Sequence, residues 1–183
     1  MDIISTVLPD LYVVHTSYNN DSRGGFARLF CDHELSGLLG ERKIVQINHS
    51  MTTTKGTIRG LHFQHSPAEE MKIVRCLKGK VFDVAVDLRA GSKTFLKWHA
   101  EILSADNAKA FVIPEGFAHG FQTLESDTEI LYLDTAHYQP ELEAGLRHND
   151  PFIGIKWALP ATELSDKDRT HAFINESFLG VTL

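Results

Sequence analysis

KVFDVAVDLR, Lys80 to Arg89, alternates along its whole length. Phe82, Val84, Val86 and Leu88 fall on one face, and Val81, Asp83, Ala85 and Asp87 on the other. Successive side chains of an extended strand point to opposite sides, so this period of two marks a strand with work for both faces. Its neighbours are of the same kind: KIVQINHS, GTIRGLHFQ, MKIVRCL, TFLKWHAEIL, AFVIP, HGFQTLE and TEILYLDT, each bounded by turn signals. LKGK, Leu77 to Lys80, reads as a hairpin turn built on Gly79. Many short, evenly spaced strands without long helical periodicity predict an all-β sandwich or barrel. HELSGLLG after Asp32 fits a short helix with Asp32 as N-cap, and PELEAGLRHNDP and SDKDRTHAF fit a helical turn or two each.

The chain has 183 residues, 43% of them apolar and 23% charged, enough for one domain with a sizeable core. No apolar run approaches the ~18 residues of a membrane span. The N-terminal MDIISTVLPDLYVV has no basic lead and is broken by Asp2, Pro9 and Asp10, so it reads as a first strand rather than a signal peptide. Cys31 and Cys76 form no C-x-x-C pair, which favours reduced thiols in a cytoplasmic protein. A net charge of −6 argues against a nucleic-acid surface.

Three groups of polar residues sit in strand positions. In GTIRGLHFQ, Gly56 to Gln64, strict alternation puts Arg59 and His62 on opposite faces. They line one pocket only if the strand breaks phase between them, and Gly60 is the place for a bulge. IPEGFAHGF, Ile113 to Phe121, carries P-x-G-x-x-H ending at His119, the spacing of the second motif of cupin barrels. Lys72, Asp83 and Tyr132 each lie in an apolar strand. Ser165 and Asp168 have the S-x-x-D spacing of a capping box, so Asp168 alone reads as a helix cap. A metal set drawn from His62, His65, Glu69 or Glu70, and His119 is disfavoured: the H-x-H pair of metal cupins is missing, and His62 and His65 point to opposite faces of a strand.

Taken in order, SRGGF, QINHS, GTIRGLHFQ, KIVRCLKGKVFDVAVDLR, GSKTF, LSADN, IPEGFAHGF, LYLDT, HYQP, NDP and LSDKD resemble the 3,5-epimerases of nucleotide-diphosphate 4-keto-6-deoxy sugars, the dTDP-4-dehydrorhamnose 3,5-epimerase family. The resemblance runs from about Arg23 to Asp168. It implies a double-stranded β-helix (cupin or jelly-roll) barrel with short peripheral helices, spanning 1–183 as one domain and working as a homodimer without metal or cofactor. An N-terminal arm, about 1–40, would be exchanged in that dimer, and a tail would run over about 160–183. By the same resemblance His62 is the catalytic base, Asp168 its carboxylate partner and Tyr132 the acid on the opposite face of the sugar. Lys72 would sit by the C4 oxygen, with Asp83 and His119 in the same pocket. Arg23 (from the partner subunit), Gln46, Asn48 and Arg59 would hold the diphosphate and nucleotide, with Tyr138 beside the ligand.

The residue types suit that chemistry. Removing a proton next to a ketone gives an enolate, which needs positive charge at the carbonyl oxygen and a base titrating near neutrality. Two arginines can grip a diphosphate through planar, charge-assisted bonds. Four features depart from the family pattern: Arg28 where glutamate is common, Glu70 for glutamine, His148 for tryptophan, and the RTHAFINESF tail. Two rivals are a non-catalytic nucleotide-sugar-binding barrel and a metal-dependent cupin enzyme.

Overall fold

The computed structural model describes residues 1–183. In chain order the elements are β1 (Asp2–Ser5), β2 (Tyr12–His15), β3 (Asn19–Asp21), β4 (Gly24–Phe26), α1 (Ser36–Leu39), β5 (Gln46–Thr52), β6 (Ile58–Gln64), β7 (Lys72–Lys78), β8 (Lys80–Asp87), β9 (Trp98–Ser104), β10 (Lys109–Ile113), β11 (Phe117–Thr123), β12 (Thr128–Asp134), β13 (Glu143–Gly145) and α2 (Asp166–Thr170). A six-stranded sheet in the order β1-β2-β10-β7-β12-β5 faces a five-stranded sheet in the order β13-β6-β11-β8-β9. The pairings within both sheets are antiparallel. This is the cupin-type jelly roll that the sequence implied.

The period of two explains the layers. Val74 and Cys76 of β7, Phe111 and Ile113 of β10, Val81 and Ala85 of β8, and Phe117 and Phe121 of β11 fill the space between the sheets. The alternate residues look outward and are covered too. On the six-stranded sheet Ile73, Val112 and Leu133 pack beneath Leu35 and Leu39 of the α1 region. On the other sheet Val84, Val86 and Leu88 pack beneath Leu146, Ile153, Ile174 and Val181. Both faces of β8 are therefore buried, as its two-sided alternation requires.

Three local expectations are corrected. Leu77–Lys80 is not a hairpin: β7 and β8 belong to different sheets, and at Gly79 (φ +75°) the chain crosses between them, where a Cβ would stand 2.6 Å from Thr128 Oγ1. Turn chemistry fixes the local bend but not which sheet the next strand joins. The residue before α1 is Leu35, with no side-chain cap, while Asp32 accepts from the backbone of His33. In PELEAGLRHNDP the segment Glu143–Gly145 is strand β13, hydrogen-bonded beside β6, because that sheet edge offers the partners a short isolated helix lacks. The apolar N-terminus makes two strands, β1 and β2, on the edge of the six-stranded sheet, and the β3–β4 hairpin pairs with neither large sheet.

Candidate active site

A cavity of about 930 Å³ opens between the two sheets, walled by strands of both and by the 162–169 segment. Strand phase decides what enters it. On β5, Gln46, Asn48 and Ser50 line the cavity while Ile47, His49 and Met51 are exposed. On β7, Lys72 is in phase with the inward Val74 and Cys76. On β12, Tyr132 and Asp134 follow the inward Ile130.

The strand that carries both Arg59 and His62 does break phase at Gly60. Its partner β11 sets His119 opposite His62 and Gly120 opposite Gly60, which leaves Leu61 as the extra residue. Gly60 has φ +105°. A Cβ there would stand 2.6 Å from the His119 carbonyl oxygen and 2.8 Å from Gly120 Cα, so the close approach requires glycine. Leu61 turns into the outer core, and Arg59 and His62 both reach the cavity.

His62 Nε2 lies 2.6 Å from Asp168 Oδ1, and Asp168 Oδ2 accepts from the Gly60 amide at 3.2 Å. Asp168 is buried. Burial alone would raise its carboxyl, but the hydrogen bond and charge of His62 and the Gly60 amide hold it below the usual carboxylate range. The helix cap is real but belongs to Ser165, whose hydroxyl accepts from the Asp168 amide. The Asp168 side chain is free of the cap and turned to the histidine.

A second pair stands behind. His119 Nε2 is 2.7 Å from Asp83 Oδ1, and burial pushes the Asp83 carboxyl up. Tyr132 lies edge-on to His119 at 6.2 Å between centroids, and its hydroxyl is 3.2 Å from Ser50 Oγ. Burial pushes the Tyr132 phenol up, so it holds its proton at neutral pH. Lys72 Nζ pairs with Glu70 Oε1 at 2.7 Å. Arg59 donates to Thr52 Oγ1 and to the Met51 carbonyl.

Of the residues singled out from sequence, Gln46, Asn48, Arg59, His62, Lys72, His119, Tyr132, Tyr138 and Asp168 line the one cavity. Asp83 lies behind His119, fully buried. Arg23 is not among them. It sits at the β3–β4 turn with its side chain 87% exposed, bonded only to Asp21. The metal set His62, His65, Glu69 or Glu70, and His119 is not assembled: His65 and Glu69 are not on the cavity wall.

Ser50, Asp134, Glu143 and Lys167 are among the cavity residues that were missed. Ser50 and Asp134 were legible, each two residues along a strand from one already chosen, Asn48 and Tyr132. Asp134 accepts from Asn48 at 2.8 Å, and burial, with Glu70 adding and Lys72 opposing, raises its carboxyl to about 6. Glu143 and Lys167, paired with each other, and with Tyr138 donating to Glu143 at 2.7 Å, come from segments with no periodic signal.

A model of the family described as dTDP-4-dehydrorhamnose 3,5-epimerase matches residues 5–176. A dTDP-4-dehydrorhamnose 3,5-epimerase from Salmonella typhimurium is 41% identical over 181 residues, covering 98% of each chain. One from Neisseria gonorrhoeae is 47% identical over 169 residues, which are 92% of this chain and 51% of that protein. Among solved structures, a dTDP-6-deoxy-D-glucose-3,5-epimerase from Legionella pneumophila in complex with dTDP-4-keto-L-rhamnose superposes with a TM-score of 0.91 at 39% identity, covering 98% of this chain and 97% of that one.

Proposed function

The chain belongs to the dTDP-4-dehydrorhamnose 3,5-epimerase family, and from that premise we propose how its cavity divides the work of inversion. The protein is an isomerase that inverts C3 and/or C5 of a nucleotide-diphosphate 4-keto-6-deoxy hexose, a step of deoxysugar biosynthesis. His62 is the base. Asp168 fixes its tautomer through Nε2 and leaves Nδ1 to take the proton next to the ketone. Lys72 carries the charge that stabilises the enolate oxygen. Tyr132, whose phenol stays protonated, delivers a proton from the other face.

Arg59, Gln46 and Asn48 hold the nucleotide diphosphate, with Tyr138 beside it. Arg23 completes the neighbour's site in a homodimer. Two features support this: the all-exposed β3–β4 hairpin with Phe26 at 73%, and the exposed Ile47 and Met51 on edge strand β5. No helix is long and apolar enough to cross a membrane. Both cysteines are free, which suits a cytoplasmic enzyme.

The observation that carries the reading is the carboxylate-held His62 in the same cavity as Lys72 and a protonated Tyr132. The test is incubation with dTDP-4-keto-6-deoxyglucose in deuterated water, followed by NMR. Deuterium at C3, C5 or both, with inverted product, is expected. Tight binding without exchange would make the protein a nucleotide-sugar-binding barrel instead.

A further inference from the structure

His171 lies in the tail that departs from the family pattern, and the proton transfers above do not use it. Its ring packs edge-on against His62, centroids 6.0 Å apart at 73°. It lies over Gly145, where a Cβ would stand 2.3 Å from Nε2. The missing side chain on β13 is what makes room for the imidazole. Nε2 is buried with no hydrogen-bond partner, although Asp168 Oδ1 is 3.9 Å away. A buried polar atom left unpaired calls for an explanation, and an unseen ion is one.

The three side chains His62, Asp168 and His171 each offer a donor atom, and these atoms lie within 4.8 Å of one another. Two imidazoles and one carboxylate form a donor set suited to zinc and other late first-row divalent ions. Three donors ~2.0–2.1 Å from a tetrahedral ion stand roughly 3.3–3.4 Å apart. The separations here, 2.6 Å from His62 to Asp168 and 3.9 Å from His171 to Asp168, fall on either side of that value. The third separation is no more than 4.8 Å, so relative shifts of roughly 1–1.5 Å would close the site. His62 is partly exposed on the cavity wall, which gives an ion an entry path to the donors from that side.

We propose that His62, Asp168 and His171 form an inhibitory binding site for a divalent transition metal, zinc foremost. The inhibition rests on the reading of His62 as the base; the binding rests on the donor geometry alone. A bound ion occupies His62 Nε2, the nitrogen that Asp168 otherwise holds. It draws the carboxylate away and leaves the remaining ring nitrogen next to a dication, where it is a poor proton acceptor.

The test uses the full-length protein with Co²⁺ as a spectroscopic probe and Zn²⁺ as inhibitor. Wild type should bind one Co²⁺ per chain, with the visible absorption of a four-coordinate nitrogen and oxygen site. Zn²⁺ should displace it and stop epimerisation reversibly, with chelator restoring the rate. His171→Ala should keep its rate in chelator, yet bind Co²⁺ and respond to Zn²⁺ at least ~10-fold more weakly. No stoichiometric Co²⁺ in wild type, or the same affinity in His171→Ala, overturns the proposal. Stoichiometric, His171-dependent Co²⁺ in a protein that never epimerises would uphold the site and defeat the epimerase reading instead.

Discussion

In the proposed mechanism Tyr132 separates two events that a one-base reaction would merge. With His62, Asp168 and Lys72 untouched, Tyr132→Phe should still form the enolate and return a proton mainly from the His62 face. The variant is expected to wash deuterium into the substrate while making little inverted product. Equal loss of exchange and inversion would leave Tyr132 a positioning residue. Asp168→Asn isolates the other half of the machinery. Because Ser165, not the Asp168 side chain, caps α2, the helix should survive. The rate should fall on the order of 10²–10⁴-fold, as for loss of a general base. Normal turnover with lowered stability would return Asp168 to a structural role. Asp134 bears on stability. Its carboxyl is raised to about 6 in the fold, so its ionised form is disfavoured there. The cost is fully present above pH ~6 and vanishes below the unfolded value near pH ~4. Asp134→Asn should gain up to about 2–3 kcal/mol in denaturant unfolding at pH 8 and little at pH 4. An equal gain at both would assign the effect to packing.

At the scale of elements, β6 is the strand whose defect makes the site. Gly60→Ala places a methyl against the β11 backbone at a positive φ, and neither backbone can yield cheaply. The expected result is a loss of about 1–3 kcal/mol together with loss of solvent exchange, since His62 shifts with the bulge. Thermal unfolding and NMR exchange on one sample would check it; a stable, fully active variant would show that the phase break does not depend on glycine. This break was legible because Arg59 and His62 are an odd number of residues apart and a glycine stands between them. The two-sided burial of β8 was legible from its own alternation. The crossing at Gly79 was not: a glycine turn between two strands looks the same whether they pair or part. Nor, apart from the family resemblance, was the pairing of Asp168 with His62. The spacing of Asp168 from Ser165 is that of a cap, and only the fold brings it to a histidine 106 positions earlier.

For the whole molecule, the question is whether a site is finished by its neighbour. Arg23 does not line its own cavity, so in the proposed homodimer two crippled chains should repair each other. Arg23→Ala and His62→Ala should each be nearly inactive alone. Co-expressed, they should form mixed dimers with one sound site, pairing His62 of the first variant with Arg23 of the second. Recovered turnover in the mixture, with a dimer mass by light scattering, is the expected outcome. No recovery despite mixed dimers would mean that each chain serves only itself. The family resemblance implied the dimer from sequence, whereas the exposure of Phe26, Ile47 and Met51, which supports the proposal, is visible only in the fold.

The segment that packs over the outer face of the five-stranded sheet also brings Asp168 to His62, and this gives the enzyme a timetable. At ~5–20 residues per second, the ribosome makes Asp168 on the order of 5–20 s after His62. Through that interval the nascent barrel has its histidine but not the carboxylate that orients it. In the proposed mechanism the site therefore waits for the last quarter of the chain to close over strands already laid down.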